Sequence, residues 1–214
     1  MTIVGRYVAD EDLIDAVERD RSMRVRVRRE GGVSVVLGRG SKATEELDVA
    51  ACLADGVPIL RRRGGGCAVL LDPGNLIVSV VRPLPGLTGI STHFEWLSAW
   101  LADVLAGLGI RGVAHEGTSD LAVGGRKIGG SCIFRRKDLL YYSTTLLVEP
   151  RIDLIERYIA HPPREPEYRR GRPHREFLRG LSDAPFRWTT ERLLTALRET
   201  ATREALRSFA VPQR

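Results

Sequence analysis

Arg61-Arg62-Arg63-Gly64-Gly65-Gly66-Cys67-Ala68-Val69-Leu70-Leu71-Asp72-Pro73-Gly74-Asn75 sets three guanidinium side chains before three glycines, then a short apolar run, then a turn. The apolar run bounded by glycine and Asp-Pro-Gly-Asn reads as a strand. The glycines lack a Cβ, so a phosphate or carboxylate can reach main-chain N–H groups there. A second such segment follows: Ser119-Asp120-Leu121-Ala122-Val123-Gly124-Gly125-Arg126-Lys127-Ile128-Gly129-Gly130-Ser131. Of 33 Lys+Arg, only Lys42, Lys127 and Lys137 are lysines. A chain that otherwise uses arginine and sets Lys127 among glycines calls for a compact ammonium there rather than a planar fork. Taken singly, three glycines are most often a loop, and a lysine on a strand most often guards an edge. Two such segments in one chain are more specific than either.

Both segments resemble the lipoate–protein ligase branch of the biotin/lipoyl ligase superfamily. That branch reads Arg-Arg-x-x-Gly-Gly-Gly-Ala-Val-x-His-Asp-x-Gly-Asn, then Asn-Asp-(Leu/Ile), then Lys-(Val/Ile)-x-Gly-Ser. Arg61, Arg62, Gly65, Gly66, Ala68, Val69, Asp72, Gly74 and Asn75 match without a gap. Ser119-Asp120-Leu121 and Lys127-Ile128-Gly129-Gly130-Ser131 stand for the later motifs. Cys67 replaces the third glycine and Leu71 the histidine, changes that bear on the acyl pocket.

The resemblance implies a biotin/lipoate ligase catalytic-domain fold, with residues 1–214 as one catalytic domain and no C-terminal accessory domain apparent. It implies ATP-dependent ligation of lipoate or octanoate, through acyl-AMP, to the target lysine of an acidic lipoyl carrier domain. Mg2+ would accompany ATP, and a separate accessory subunit is an open possibility. Lys127 is then the catalytic residue, bridging the acyl carboxylate and the α-phosphate. Arg62, with Arg61 or Arg63, would hold phosphate oxygens. Gly65, Gly66, Cys67, Ala68, Val69, Leu70, Asn75, Asp120, Lys127 and Gly130 complete the expected nucleotide and acyl contacts. Asn75, behind Pro73-Gly74, also reads simply as a turn residue. Asp120 is placed to orient the Lys127 ammonium or the incoming amine. Val33–Leu37 and Val69–Val81 are candidate tunnel walls, and equally core. Arg169-Arg170-Gly171-Arg172 is a candidate carrier contact, and equally a solvated loop.

Other readings stay open. An octanoyltransferase shares the fold and lysine but passes octanoyl through a cysteine thioester, for which Cys132 or Cys67 would serve if its pKa were lowered. A non-catalytic acyl- or carrier-binding subunit is a third reading, and a biotin ligase a fourth. Retention of the arginine pair favours nucleotide, and an intact Lys127 favours chemistry.

Bulk properties agree. The chain has 214 residues, 43% hydrophobic and 28% charged, which suits one soluble domain with a substantial core. Its net charge of +6 suits an anionic ligand or an acidic partner. No nucleic-acid-binding signature accompanies that charge, and no apolar run is long enough for a membrane span. Three widely spaced cysteines suggest neither a disulfide framework nor a zinc site, so a cytoplasmic location and no metal are expected.

Patterning predicts a mixed sheet with flanking helices, in the α/β or α+β class. Helices are expected at Val8–Asp20 with Asp10 as N-cap, Thr44–Ala54, Thr92–Leu108 with a Thr92/Glu95 capping box, Ile152–Ile159 and Thr189–Phe209. A hairpin is expected at Val25–Leu37 around Gly31-Gly32. Strands are expected at Ile59–Arg61, Cys67–Leu71, Leu76–Val81, Arg111–Glu116, Asp120–Val123, Lys127–Arg135 and Leu139–Val148, with an exposed loop at His161–Arg175.

Overall fold

Asn75–Pro83 is apolar at most positions, and a run of that kind belongs in a strand covered on both faces. The computed structural model, which describes residues 4–84 and 89–209, bears this out. The elements are β1 (Val4–Arg6), α1 (Glu11–Asp20), β2 (Arg24–Arg29), β3 (Ser34–Leu37), α2 (Ala43–Glu46), α3 (Val49–Ala54), β4 (Ile59–Arg61), β5 (Val69–Leu71) and β6 (Asn75–Pro83). They continue with α4 (Ile90–Gly107), β7 (Ala114–Glu116), β8 (Asp120–Val123), β9 (Arg126–Arg136), β10 (Leu139–Leu147), α5 (Ile152–Tyr158), a 3-10 turn at Glu167–Arg169, α6 (His174–Phe177) and α7 (Thr190–Phe209). Six strands form an antiparallel sheet in the order β2-β6-β10-β9-β8-β7, and four form a mixed sheet in the order β1-β4-β3-β5.

Alternation along β6 builds the layers. Leu76, Val78 and Val80 face α4 and α7, packing on Leu97, Leu101, Leu105, Leu193 and Leu197. Ile77 meets Val36 and Leu71 of the small sheet, and Val81 meets Leu13, Ile14 and Val17 of α1. The large sheet therefore lies between a helical layer and a second layer of small sheet plus α1.

The expected hairpin does not form: β2 pairs with β6 in the large sheet, whereas β3 lies between β4 and β5 in the small one. Arg24, Arg26 and Arg28 suit β2 to a sheet edge, while Val35, Val36 and Leu37 are fully buried and need cover. The expected helix Thr44–Ala54 is two short helices, because the Asp48 carboxylate caps the second by accepting from Ala51 N–H at 2.8 Å.

Asp10 occupies the N-cap position of α1, as expected, with φ +64°, but its side chain makes no capping bond. Its buried carboxylate turns inward, accepting from Ser79 Oγ at 2.6 Å and Tyr141 Oη at 2.9 Å, with Arg26 at 3.2 Å and Arg28 at 3.5 Å. Helix α4 starts ahead of Thr92, with Gly89 at its N-cap and no side-chain capping bond, so the expected capping box is absent. It ends on a glycine: Gly109 takes φ +86°, donating to Ala106 O, while Ile110 donates to Leu105 O.

Candidate active site

Lys127 and Asp120 meet because of an irregularity. Asp120 pairs with Gly130 and Ala122 with Lys127, so two steps along β8 oppose three along β9. The extra residue is a β-bulge, which resets the side-chain alternation. Ile128 and Ile133 both reach the helical core although they are an odd number of residues apart. Lys127 is thereby turned onto the same face as Asp120, and its Nζ lies 2.7 Å from Asp120 Oδ1. A Cβ on Gly130 would fall 3.0 Å from both Cε and Nζ of Lys127. The lysine tip therefore lies over the glycine backbone at Gly130.

The glycine-rich segment reaches the same face of β9. A Cβ on Gly64 would fall 2.8 Å from Cys132 Cβ and Sγ, so the loop crosses directly above Cys132. Cys132 and Gly130 are successive residues on that face, about 7 Å apart along the strand. The two motifs, distant in sequence, are thus neighbours on one strand.

Both motif arginines face inward to brace the loop. Arg62 donates from Nη1 to Val36 O at 3.0 Å, and from Nη2 to Gly65 O at 2.6 Å and Cys67 O at 2.9 Å. Arg61 Nη1 donates to Gly38 O at 2.7 Å and Ser41 O at 2.8 Å. Gly38 is needed as glycine, because a Cβ there would sit 1.8 Å from Gly66 O. Arg63 pairs with Glu11 at 3.1 Å. Ala68 N–H is taken by the buried Glu46 carboxylate at 2.5 Å.

Val69 and Leu70 pair with β3. Leu70 packs with Val35, Leu37 and Phe177, and Val69 lies against Val36 and Ile77. Asn75 is 1% exposed, yet its Oδ1 and Nδ2 have no protein partner. Buried polar atoms of that kind call for an account.

Of the cysteines, Cys67 is half-buried with Sγ 3.7 Å from Arg164 O. Burial pushes the Cys132 thiol up despite the nearby Arg62 cation. Cys52, Cys67 and Cys132 are all free thiols.

The Pro- and Arg-rich segment after α5 is largely an exposed loop, as expected, with a 3-10 turn at Glu167–Arg169 that turns one arginine inward. Arg169 is buried and lies over the Phe177 ring at 4.8 Å, with Arg172 over the same ring at 5.4 Å. Arg172 Nη2 also donates to Gly125 O at 2.9 Å. Of the expected carrier contact, Arg169 is therefore internal and Arg172 half-buried. The segment brings in a residue that the sequence did not single out: Tyr168 Oη donates to Asp120 Oδ2 at 3.0 Å. A lone aromatic amid Pro and Arg was the available signal. Glu46 was missed too, since helical position alone does not show that a carboxylate turns inward.

Among the described residues, no group of three or more His, Cys, Asp or Glu is placed to hold a metal ion, and no helix is long and apolar enough to cross a membrane.

The chain is similar to known proteins along most of its length. The family described as Lipoyl protein ligase A/B catalytic domain matches residues 9–201. A protein of Aeropyrum pernix, provisionally named lipoate-protein ligase A, is 35% identical over 115 residues, which are 53% of this chain and 42% of that protein. The chain thus spans less than half the length of that relative.

Among solved structures, a lipoate-protein ligase A bound with ATP superposes with a TM-score of 0.74 at 23% identity, covering 94% of this chain and 80% of the other. A bipartite lipoate protein ligase of Thermoplasma acidophilum, studied with its E2 lipoyl domain, gives a TM-score of 0.75 at 22% identity, covering 99% and 83%. These likenesses concern the fold, and the family match over most of the sequence shows that the chain belongs to the lipoyl protein ligase A/B catalytic-domain family.

Proposed function

We propose that the chain activates lipoate or octanoate with ATP as acyl-AMP and transfers the acyl group to the target lysine of a lipoyl carrier domain. The observation that carries this reading is the Lys127 ammonium held by Asp120 against Gly130, on the strand that the glycine-rich loop also crosses. Joining a carboxylate to an α-phosphate brings two anions together. Fixed positive charge and backbone donors at the point of contact lower that barrier. Lys127 supplies the charge, and the N–H groups of Gly65, Gly66 and Cys67 supply donors. Arg62 acts by holding the loop carbonyls, so that those N–H groups point at the ligand. Asn75, buried and unpartnered within the protein, offers its amide to a substrate atom.

Asp120 is engaged by Lys127 and Tyr168, so Mg2+ would travel on the nucleotide phosphates rather than in a protein cage. In the second step the carrier lysine attacks the mixed anhydride and AMP leaves. A basic chain suits an acidic carrier. The bipartite neighbour is a precedent for a separate accessory chain. Three free cysteines suit a cytoplasmic setting. The transferase reading is weaker, because a nucleophile needs a thiolate and Cys132 lies beneath Gly64 with its thiol pushed up.

The test is incubation with lipoate and an apo lipoyl domain, with and without Mg-ATP, reading carrier mass and AMP. Modified carrier with ATP-dependent AMP release is expected. Lys127→Ala should abolish lipoate-dependent pyrophosphate–ATP exchange in a folded protein. Normal exchange in that variant, or carrier modified from octanoyl–acyl carrier protein without ATP, would overturn the reading.

A further inference from the structure

We propose that Tyr168 is a positioning residue for Lys127, acting through Asp120; the catalytic consequence rests on the ligase reading above. The Asp120 carboxylate is shared, with Oδ1 2.7 Å from the Lys127 ammonium and Oδ2 accepting from Tyr168 Oη at 3.0 Å. A carboxylate with one fixed partner can turn about its terminal bond, whereas one held at both oxygens is set in plane. With Oδ2 held by Tyr168, Oδ1 then directs the ammonium.

Tyr168 is itself well anchored. Its ring lies 5.1 Å from that of Phe177, over which the Arg169 and Arg172 guanidinium groups also lie. Arg172 Nη2 ties Tyr168 O and Gly125 O together at 2.8 and 2.9 Å. The same segment returns to the catalytic strand at Lys127, where Leu178 forms a bridge and Arg179 N–H donates to Lys127 O at 2.9 Å. Backbone of Lys127 and carboxylate of Asp120 are thus both fixed by residues of one short segment. Burial and the adjacent Asp120 charge push the Tyr168 hydroxyl well up, so it remains a donor across the working pH range.

The arrangement also separates two needs. The ammonium must be held before substrate arrives, yet must turn toward anionic oxygens when the carboxylate and α-phosphate meet. A neutral donor on Oδ2 draws charge away from Oδ1 and loosens its grip on the ammonium. Without it, Asp120 competes more strongly with substrate for the lysine.

The experiment compares Tyr168→Phe in the native and the Asp120→Asn backgrounds. In the native background, lipoate-dependent pyrophosphate–ATP exchange should slow by about 10-fold, with KM for lipoate within about two-fold. In the Asp120→Asn background the same change should alter the rate by less than about two-fold, because its route of action is already gone. Equal losses in both backgrounds, or no loss in either, would overturn the proposal.

A second readout does not depend on catalysis. The chain has only Lys42, Lys127 and Lys137, whose side chains are 70%, 26% and 73% exposed. Side-chain 15N spectra of lysine-labelled protein should show the Lys127 ammonium signal shifting in Tyr168→Phe while Lys42 and Lys137 stay in place. An unmoved Lys127 signal refutes the coupling. A moved signal in a protein that shows no exchange activity refutes the ligase reading and leaves the coupling standing.

Discussion

Gly129 and Gly130 are adjacent, and alanine at each should fail in a different way. At Gly129 the new Cβ would fall 2.8 Å from Thr145 O and 3.2 Å from Leu146 Cδ2, so backbone in the middle of the large sheet has to move. Overpacking of this kind costs about 1–3 kcal/mol, and each kcal/mol lowers Tm by about 2–4 °C in a chain of this size. At Gly130 the Cβ would fall 3.0 Å from Lys127 Cε and Nζ, the free end of a flexible side chain. Relief to an ordinary contact of about 3.5 Å needs a shift of about 0.5 Å, which costs the fold little. A misplacement of about 1 Å at a reacting centre can cost about 100-fold. Half that shift, taken as half the barrier increase, gives about 10-fold, or about 1.4 kcal/mol. Gly130→Ala should therefore keep its Tm within about 2 °C and lose about 10-fold in lipoate-dependent exchange, while Gly129→Ala should lose several degrees in Tm. Thermal unfolding and exchange on the two proteins side by side decide the matter. Full activity in Gly130→Ala, or loss of activity only in proportion to lost stability, would refute the placement of the Lys127 tip.

Arg62→Lys keeps the charge but cannot span three carbonyls, so KM for ATP and lipoate should rise several-fold and Tm should fall; an unchanged KM would show that charge alone matters. Asp10→Ala removes the carboxylate shared by the Ser79 and Tyr141 hydroxyls and by Arg26 and Arg28, which keep Ser143, Asp12 and Glu30 as other partners, and should cost about 1–3 kcal/mol by urea unfolding. Cys132→Ala and Cys67→Ala should each retain ATP-dependent ligation, and iodoacetamide should label Cys67 ahead of Cys132; loss of turnover in either variant would point to a thioester. Asp12 is held at about 2 by a hydrogen bond from Arg26, and Asp55 at about 2 by one from Arg157, both below the ordinary 3.8. A depressed carboxylate stabilises above its unfolded value and loses that contribution as pH falls through the folded one. The share of Tm that these two pairs supply should thus hold down to about pH 4 and be lost between there and about pH 2, and Arg157→Gln, which returns Asp55 toward its unfolded value, should lower Tm above about pH 4 and shrink the drop below it.

The sequence made the continuous strand β6, the long helices α4 and α7 and the two glycine motifs legible, because each rests on local periodicity or on a run of one residue type. Partner choice was not local. Gly31-Gly32 is as good a signal for a hairpin as for a crossing between sheets, and only the burial needs of β2 and β3 separate the two. Asp10 stands where an N-cap should, but the Ser79 and Tyr141 hydroxyls that claim it are far away in sequence. At the site, Lys127, Asp120 and the glycine backbone were legible from residue type. The inward turn of Arg61 and Arg62 was not, since a guanidinium suits a carbonyl as well as a phosphate. Tyr168 had no sequence neighbour to connect it with Asp120.

The bulge between β8 and β9 makes the site a matter of odd and even counting. If β8 and β9 paired residue for residue through this stretch, with every residue kept, Lys127 would point to the opposite side of the sheet from Gly130, the side filled by α4 and α7, where a charge has no solvent and no partner. The odd spacing in Lys-Ile-Gly-Gly therefore works only together with the bulge, and a ladder that lost the bulge but kept every residue would have its lysine on the wrong side of a wall.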